Sequence, residues 1–335
     1  MFSSILRPSV WLFLALAQAI VTNNGPYKLT GNTGLSYVGT SHVYDPVASH
    51  LYSSTRGGVF EFDTVSMKVV GRTPAVRGAG SMSLDAVRNE LYVLALHDDT
   101  MNVVDVTTHK VTRTFGAPAW FNVFYEQSRD ELYYLRGDTR EVQIADRRDG
   151  RIIKTLALDG RPSFLEGDAA RHRVLVRLAD KPLIQIIDTT ERAIVASWPA
   201  RQDGQSAMAI DPTGARVFIS SGRDVAMLDG TTGKELAKFS AGDPVFSIVY
   251  DSSTQLVAAL SGAGRVNVAK IDGDAVTLVQ SLDTRAVLHE LFLDPTSHRI
   301  YGVTRLFDDG VMRDYVSQSL PADGGSALLT LTLKR

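Results

Sequence analysis

The chain has 335 residues, of which 44% are hydrophobic and 21% charged, with a formal net charge of -2 and no cysteine. This near-neutral balance, without a run of basic residues, argues against a nucleic-acid-binding protein and against electrostatic attachment to a membrane surface. Without cysteine there is no disulfide, so packing must stabilise the fold. The length allows two ordinary domains or one large closed β domain.

Residues 1–19 have the pattern of an export signal. Arg7 supplies the positive start, Val10–Ala17 the apolar core, and Ala17-Gln18-Ala19 a small-x-small cleavage site. The apolar run is shorter than the roughly 20 residues that cross a bilayer, and no later segment approaches that length. We therefore expect cleavage after Ala19, with residues 20–335 forming a secreted or periplasmic domain. An uncleaved membrane anchor is the alternative.

A unit of about 40 residues then recurs seven times. It is clearest in Ser81–Val111, which predicts a strand ending at Asp85, the strand Glu90–Leu94, the strand Met101–Val106 and the start of a fourth strand. Four short strands in such a period are typical of propeller blades, and runs of Val, Ile, Tyr and Phe favour strands over helices. The acid that ends the first strand recurs at spacings of 40 to 43: Asp45, Asp85, Glu126, Asp168, Asp211, Asp251 and Asp294.

These acids stand where tight turns begin, and Pro follows Asp45, Asp211 and Asp294. An acid at the first position of a turn accepts backbone N–H bonds, and Pro at the next position presets the backbone dihedral φ. We therefore expect the seven acids to be structural and not catalytic.

The two ends of the chain predict how the ring closes. Leu29 stands 16 residues before Asp45, as a fourth strand does before the next acid, but no unit precedes it. The seventh unit, in turn, has only three strands, the third being Ala327–Leu333. We therefore expect Tyr27–Thr30 to complete the last blade of an all-β, seven-bladed propeller with four antiparallel strands per blade. Removing residues 20–30 would expose an open sheet edge.

The units resemble the YVTN-type seven-bladed propellers, which include the YncE-like proteins. The likeness lies in Leu91-Tyr92-Val93, Val103–Val111 and Ala209–Ile219, and it extends over essentially all of residues 20–335. The family's Asn after the Tyr-Val-Thr strand is missing from every unit. The absence of a Gly-His…Trp-Asp pattern disfavours a WD40 array. The resemblance implies the fold and not a function, because the shared residues are turn and core positions.

We call the side of the ring with the blade connectors and the second-to-third-strand loops the connector face, and the opposite side the turn face. The connector-face loops are longer and more varied, which makes this face the candidate site. His42, His289 and Glu290 fall near the starts of the innermost strands of blades one and seven. A histidine and a carboxylate there could act in catalysis, the histidine as general base and the carboxylate as the group that orients it. They could equally be polar residues whose hydrogen bonds are made within the fold.

Three further groups of candidate residues belong to this face. His97, Asp98 and Asp99 are metal-capable, although adjacent residues rarely converge on one ion, which favours a solvated turn and no bound metal. Trp120 could stack on a ligand or plug the space between blades. Recurrent arginines would suit a carboxylate or phosphate, or could pair with Asp138, Asp180, Asp224 and Asp308. These arginines are Arg56, Arg77, Arg136, Arg161, Arg177, Arg223 and Arg305.

The sequence favours a binding or scaffold protein that acts through the connector face, on a small anionic ligand or a protein partner. The alternative is a lactonase, lyase or cyclising isomerase at the same channel mouth, an analogy with other propellers. There is no Gly-x-Ser-x-Gly motif of a nucleophilic hydrolase, and no tryptophan repeat of a quinone-dependent dehydrogenase. We expect a monomer without a cofactor. The long loop Arg305–Gly325 could form a lid, a partner contact or surface decoration.

Overall fold

The computed structural model describes residues 25–35, 41–55, 57–117, 120–136, 139–201, 207–262, 264–284, 288–305 and 326–334. They form seven four-stranded antiparallel sheets. The innermost strands of successive sheets contact one another around the ring, and the first blade contacts the last. The prediction of a seven-bladed propeller is therefore confirmed.

The first six blades follow chain order from the innermost strand outwards. Blade 1 is β2 (His42–Asp45), β3 (His50–Thr55), β4 (Gly58–Asp63) and β5 (Lys68–Thr73), and blade 2 is β6 (Ala79–Asp85), β7 (Glu90–Ala95), β8 (Thr100–Asp105) and β9 (Lys110–Gly116). Blade 3 is β10 (Trp120–Glu126), β11 (Glu131–Arg136), β12 (Glu141–Asp146) and β13 (Ile152–Ala157), and blade 4 is β14 (Pro162–Asp168), β15 (Arg173–Leu178), β16 (Leu183–Asp188) and β17 (Ala193–Pro199). Blade 5 is β18 (Met208–Ile210), β19 (Arg216–Ser221), β20 (Asp224–Asp229) and β21 (Glu235–Ser240), and blade 6 is β22 (Val245–Asp251), β23 (Leu256–Ser261), β24 (Arg265–Asp272) and β25 (Ala275–Asp283).

Blade 7 combines the two ends of the chain. From the innermost strand outwards it is β26 (Leu288–Asp294), β27 (Arg299–Arg305), β28 (Ser326–Leu333) and β1 (Tyr27–Leu35). β1 pairs antiparallel with β28, with Tyr27 opposite Leu333, and the register shifts between Leu29 and Gly31. The N-terminal strand thus completes the last blade as predicted, and it is longer than the four residues expected from the sequence.

The hydrophobic core lies between neighbouring blades. Tyr92 and Leu94 of blade 2, for example, share one buried cluster with Leu132 and Tyr134 of blade 3. The middle strands are buried on both faces because a blade packs on each side of them, whereas the outer strand β9 alternates exposed and half-buried residues. Helix is nearly absent from these residues, which include a single 3₁₀ turn at Ala169–Arg171 and no helix long and apolar enough to span a membrane.

The turn acids have the structural role that the sequence predicts. The Oδ1 atom of buried Asp85 accepts bonds from the backbone N–H groups of Val87 at 3.1 Å and Arg88 at 3.2 Å. The Arg88 guanidinium donates to Asp85 at 2.8 Å and also to the Tyr125 hydroxyl of blade 3 at 2.7 Å. A turn of one blade therefore also fastens the next blade.

Candidate functional site

In blades 2 and 6 the residue four positions before the turn acid is a serine near the start of the innermost strand, and it bonds to the following blade. Ser81 Oγ accepts a bond from the Val123 N–H at 3.2 Å, and Ser247 Oγ accepts one from the Leu291 N–H at 3.1 Å. These serines satisfy backbone groups of the neighbouring innermost strand, as the fold requires. In blade 7 the same position carries Glu290, four residues before Asp294.

Glu290 pairs with a side chain instead of with backbone. Its Oε2 lies 2.9 Å from His42 Nδ1 across the closure between blades 7 and 1. The His42 side chain is 3% exposed and its ring meets Phe292 edge-on at 5.4 Å, whereas the Glu290 side chain is 39% exposed. His42 Nε2 is buried and has no hydrogen-bond partner. The structure therefore brings together two of the three residues that the sequence singled out as catalytic candidates.

The third candidate, His289, has an exposed side chain. It lies at the start of β26, where the register with β27 shifts between Leu288 and Glu290. His289 is exposed, whereas Glu290 is half-buried beside His42, although the two residues are adjacent in sequence.

Glu166 on β14 is a site residue that the sequence analysis missed. Burial raises the pKa of its carboxyl to about 7, and the negative charge of Glu290 adds to the effect against a lowering bond from the Gly167 N–H. The side chain is partly exposed, as expected for a carboxyl surrounded by protein but open to a narrow channel. The available signal was position, because the residue two before the turn acid is uncharged in the other blades. Those residues are Val43, Ser83, Phe124, Ala209, Val249 and Phe292.

The candidate arginines differ in their surroundings. Arg77 and Arg223 are exposed, as is Arg161, and Arg136 is partly buried at the end of β11. Arg177 is 3% exposed and donates to Ser220 Oγ and to the Arg201 carbonyl, both at 2.8 Å. Its guanidinium therefore joins blade 4 to blade 5 inside the protein, a contact that the sequence analysis did not anticipate.

Some of the predicted site residues lie outside the described residues. These are Arg56, the loop 306–325, and the side chains of Trp120 and Arg305, whose backbones belong to β10 and β27. Of the acids proposed as partners for the arginines, Asp180 accepts a bond at 3.1 Å from the guanidinium of Arg140, which is not one of the candidate arginines. Its other bond, at 2.7 Å, comes from the backbone N–H of Arg161 and not from the guanidinium.

His97, Asp98 and Asp99 form the exposed turn between β7 and β8. The Asp98 N–H donates to the Ala95 carbonyl, and the Asp99 carbonyl accepts from the Ala117 N–H at 2.7 Å. Backbone bonds thus shape this loop. Across the ranges that the structure describes, no group of three or more His, Asp or Glu side chains is arranged to hold a metal ion.

A second titratable cluster joins blades 1 and 2 through Glu61, which is 6% exposed. Its Oε1 lies 2.6 Å from His50 Nδ1 and accepts from the Tyr52 hydroxyl at 3.0 Å, and its Oε2 contacts His109 Nε2 from the next blade. Burial, then the charge of Glu61, raises the pKa of Tyr52 well above its ordinary value. Every one of these polar groups has a partner inside the cluster, which makes it an inter-blade fastening.

Gly71 makes room for this fastening, because a Cβ at residue 71 would overlap His109 Nε2 and Glu61 Oε2. We expect Gly71→Ala to lower the free energy of unfolding by about 1–3 kcal/mol, the usual cost of overpacking. Gly116→Ala is the matched control, since nothing lies within 4 Å of its Cβ position. Urea denaturation of both variants measures the difference. Equal losses would show that the Glu61 cluster tolerates the extra methyl group.

No family model matches the chain. Over 156 residues it is 24% identical to the uncharacterized protein YncE of Salmonella typhi, and the same figures hold for YncE of Salmonella typhimurium. This match covers 45% of the chain and 44% of the relatives, so the chain spans less than half the length of the curated proteins it matches.

Solved propellers match over far more of the chain. The β-propeller domain of Cps50 (Swd1) from Myceliophteria thermophila superimposes with a TM-score of 0.71 and 13% identity, covering 91% of this chain and 99% of that domain. U3-55K superimposes with a TM-score of 0.72 and 12% identity, covering 92% and 98%. At these identities the likeness concerns the fold alone. Sequence and structure together bear out the resemblance to YncE-like seven-bladed propellers.

Proposed function

We propose that this protein is an exported, monomeric binding protein whose ligand sits at the channel mouth on the connector face. The ligand class is a small carboxylate or phosphate that also carries hydroxyl or amino donors. The exposed guanidinium groups of Arg77 and Arg223 would attract the anion. The accessible carboxylate of Glu290 would accept bonds from the donors.

The His42–Glu290 pair is the observation that carries this proposal. At the corresponding position in blades 2 and 6, Ser81 and Ser247 accept bonds from the backbone of the next blade. At the closure the fold instead holds a buried imidazole against a carboxylate that remains 39% exposed. Holding a charged carboxylate at this position costs the fold more free energy than a serine would, because the charge is partly removed from water. A fixed and accessible charge is, however, what a binding site needs.

The enzymatic alternative, a lactonase, lyase or cyclising isomerase, rests on the same pair. A histidine whose Nδ1 is held by a carboxylate resembles a general base with its orienting group. A base must reach the proton that it removes, however, and His42 Nε2 is buried in this arrangement. Binding is therefore the better-supported function.

Gluconate tests the proposal because it combines a carboxylate with several hydroxyl groups. By isothermal titration calorimetry we expect gluconate to bind, and both sorbitol, which lacks the carboxylate, and acetate, which lacks the hydroxyls, to bind at least tenfold more weakly. Glu290→Ala and Arg223→Ala should each weaken gluconate binding at least tenfold, because Glu290 is the proposed acceptor for the hydroxyl groups and Arg223 is one of the two cations proposed for the carboxylate.

Glu191→Ala is the matched control, since Glu191 is exposed in the turn between β16 and β17 on the opposite face. It should leave gluconate binding unchanged. Gluconate binding that survives both Glu290→Ala and Arg223→Ala would place the ligand elsewhere. Turnover of a γ-lactone that His42→Ala abolishes, while the variant keeps its melting temperature, would favour the enzymatic alternative.

A further inference from the structure

A groove of about 430 Å³ lies between blades 4 and 5, away from the His42–Glu290 pair. Its blade 4 wall includes Pro182, Pro199 and the connector residues Ala200 and Arg201. Its blade 5 wall comes from β19, β20 and β21 and the turn that joins β20 to β21. This volume is within the range of small-molecule sites, about 300–1,000 Å³.

One residue of blade 5 explains why the groove is there. The third residue of the third strand is Ala226 in blade 5. It pairs across the sheet with Ile219, and both line the groove. The residues at the same register in the third strands of blades 1, 2, 3, 4 and 6 are Phe60, Asn102, Gln143, Gln185 and Asn267. Only blade 5 among these six has a side chain too short to extend towards the preceding blade.

In blades 4 and 6 the long side chain at this register fastens the connector that enters the blade. Gln185 accepts a bond from the Asp159 N–H at 2.9 Å and donates to Asp159 Oδ2 at 3.0 Å, and Asn267 donates to the Ala241 carbonyl at 3.2 Å. Ala226 cannot do the same for the connector of blade 5. There Arg177 of blade 4 donates to the Arg201 carbonyl at 2.8 Å, which holds the start of the connector from the side of blade 4.

The lining of the groove has an apolar floor and a basic edge. Ile219 and Leu228 on the floor are each 2% exposed. The edge carries the exposed cations Arg201, Lys234 and Lys238 against one acid, Glu235. Asp224 lies 3.7 Å from Lys238 and neutralises part of that charge, which still leaves the edge positive.

We propose that this groove is a second binding site, specific for a small amphipathic organic anion, with the apolar body on Ile219 and Leu228 and the acidic group at the Lys234–Lys238 edge. Apolar burial supplies affinity here, and the cations orient the anion. The site is separate from the channel mouth and does not depend on the function proposed there.

The probe is 8-anilinonaphthalene-1-sulfonate, an apolar aromatic anion whose fluorescence increases in an apolar environment. The full chain should bind one equivalent saturably. Lys234→Glu/Lys238→Glu should weaken binding at least tenfold by reversing the charge of the edge. N-phenyl-1-naphthylamine, which lacks the sulfonate, should bind equally to the two proteins. Lys110→Glu, at the corresponding exposed position where the last strand of blade 2 begins, is the matched control and should change nothing.

A second variant tests the shape of the groove. Ala226→Gln introduces the side chain that blade 4 carries at this register, and it should abolish the one-site binding. Glu290→Ala should leave the probe's affinity unchanged, which separates this groove from the channel mouth. The proposal fails if the double lysine variant binds the probe as well as the unaltered chain does. It also fails if Glu290→Ala releases the probe, or if several equivalents bind without saturation.

Discussion

Tyr27→Ala should lower the free energy of unfolding by about 3–5 kcal/mol, the usual cost of deleting a large buried aromatic side chain. Tyr27 is 1% exposed and starts the strand that closes the ring. It packs in a cluster with Leu260 and Leu282 of blade 6 and Leu291 and Leu331 of blade 7. Removing the Tyr27 side chain would therefore leave a cavity between blades 6 and 7 and weaken the packing of the N-terminal strand against both.

Gln280 of blade 6 holds the same residue through its backbone. The Gln280 side chain accepts from the Tyr27 N–H at 2.9 Å and donates to the Tyr27 carbonyl at 2.8 Å, both in a buried setting. Gln280→Ala leaves both backbone groups buried without these partners, at a cost of about 1–3 kcal/mol for each group. Because Gln280 is not in blade 7, a large loss would show that closure also depends on the neighbouring sheet.

Urea unfolding followed by circular dichroism measures these losses, and hydrogen exchange at the β28 amides reports on the edge that β1 covers. Leu29→Ala is the matched control, because Leu29 lies on the same strand but is 44% exposed. It should cost less than 1 kcal/mol and leave the β28 amides protected, on the order of other exposed changes. Equal losses for Tyr27→Ala and Leu29→Ala would contradict closure through this anchor.

The sequence predicted the seven-bladed ring because each repeat is specified by short-range turn and strand patterns. Asp45, Asp85 and Asp251 start turns by bonding to the backbone two and three residues further on. Asp168 departs from this pattern, because it begins a 3₁₀ turn and pairs with Arg173. The closing strand could be predicted from spacing alone, since Leu29 stands at the fourth-strand distance from Asp45. The hydrogen bonds between Gln280 and Tyr27 could not be predicted from the sequence, because they join residues 253 positions apart and depend on how blades 6 and 7 pack.

The candidate site was only partly predictable for the same reason. His42 and Glu290 were paired in advance because ring closure fixes which innermost strands are neighbours. Glu166 lies in blade 4, and its proximity to Glu290 depends on the width of the channel, which no local pattern encodes. The role of Arg177 depends on the neighbouring blade, whose Ser220 and connector carbonyl receive its donors. An arginine on a connector-face loop has the same sequence signature whether it faces a ligand or a carbonyl.

Glu166→Gln should stabilise the protein at neutral and alkaline pH. The pKa of the Glu166 carboxyl is raised from the ordinary value of 4.5 to about 7, first by burial and then by the charge of Glu290. Below pH 4.5 both the folded and the unfolded chain hold the proton, and the group has no effect on stability. Between pH 4.5 and 7 the unfolded chain releases the proton more readily, so stability falls as pH rises.

Above pH 7 the folded chain carries the full cost of the buried charge, about 3 kcal/mol for a shift of this size. Glutamine has nearly the same shape and no charge to bury, so Glu166→Gln removes that cost. The difference in unfolding free energy between the variant and the unaltered chain should be close to zero at pH 4. It should grow to about 3 kcal/mol at pH 8.

Urea denaturation at pH 4, 5.5, 7 and 8 traces this difference. Glu191→Gln is the matched control, because Glu191 is exposed on the turn face and its difference should stay flat with pH. Glu290→Gln is a second test, of the contribution that the Glu290 charge makes to the pKa of Glu166. Removing the charge that opposes ionisation of Glu166 lowers its folded pKa, so the fall in stability should still begin near pH 4.5 but be smaller and end at a lower pH. A pH-independent difference for Glu166→Gln would mean that Glu166 ionises as freely in the channel as in water, and that Glu290 does not act on it.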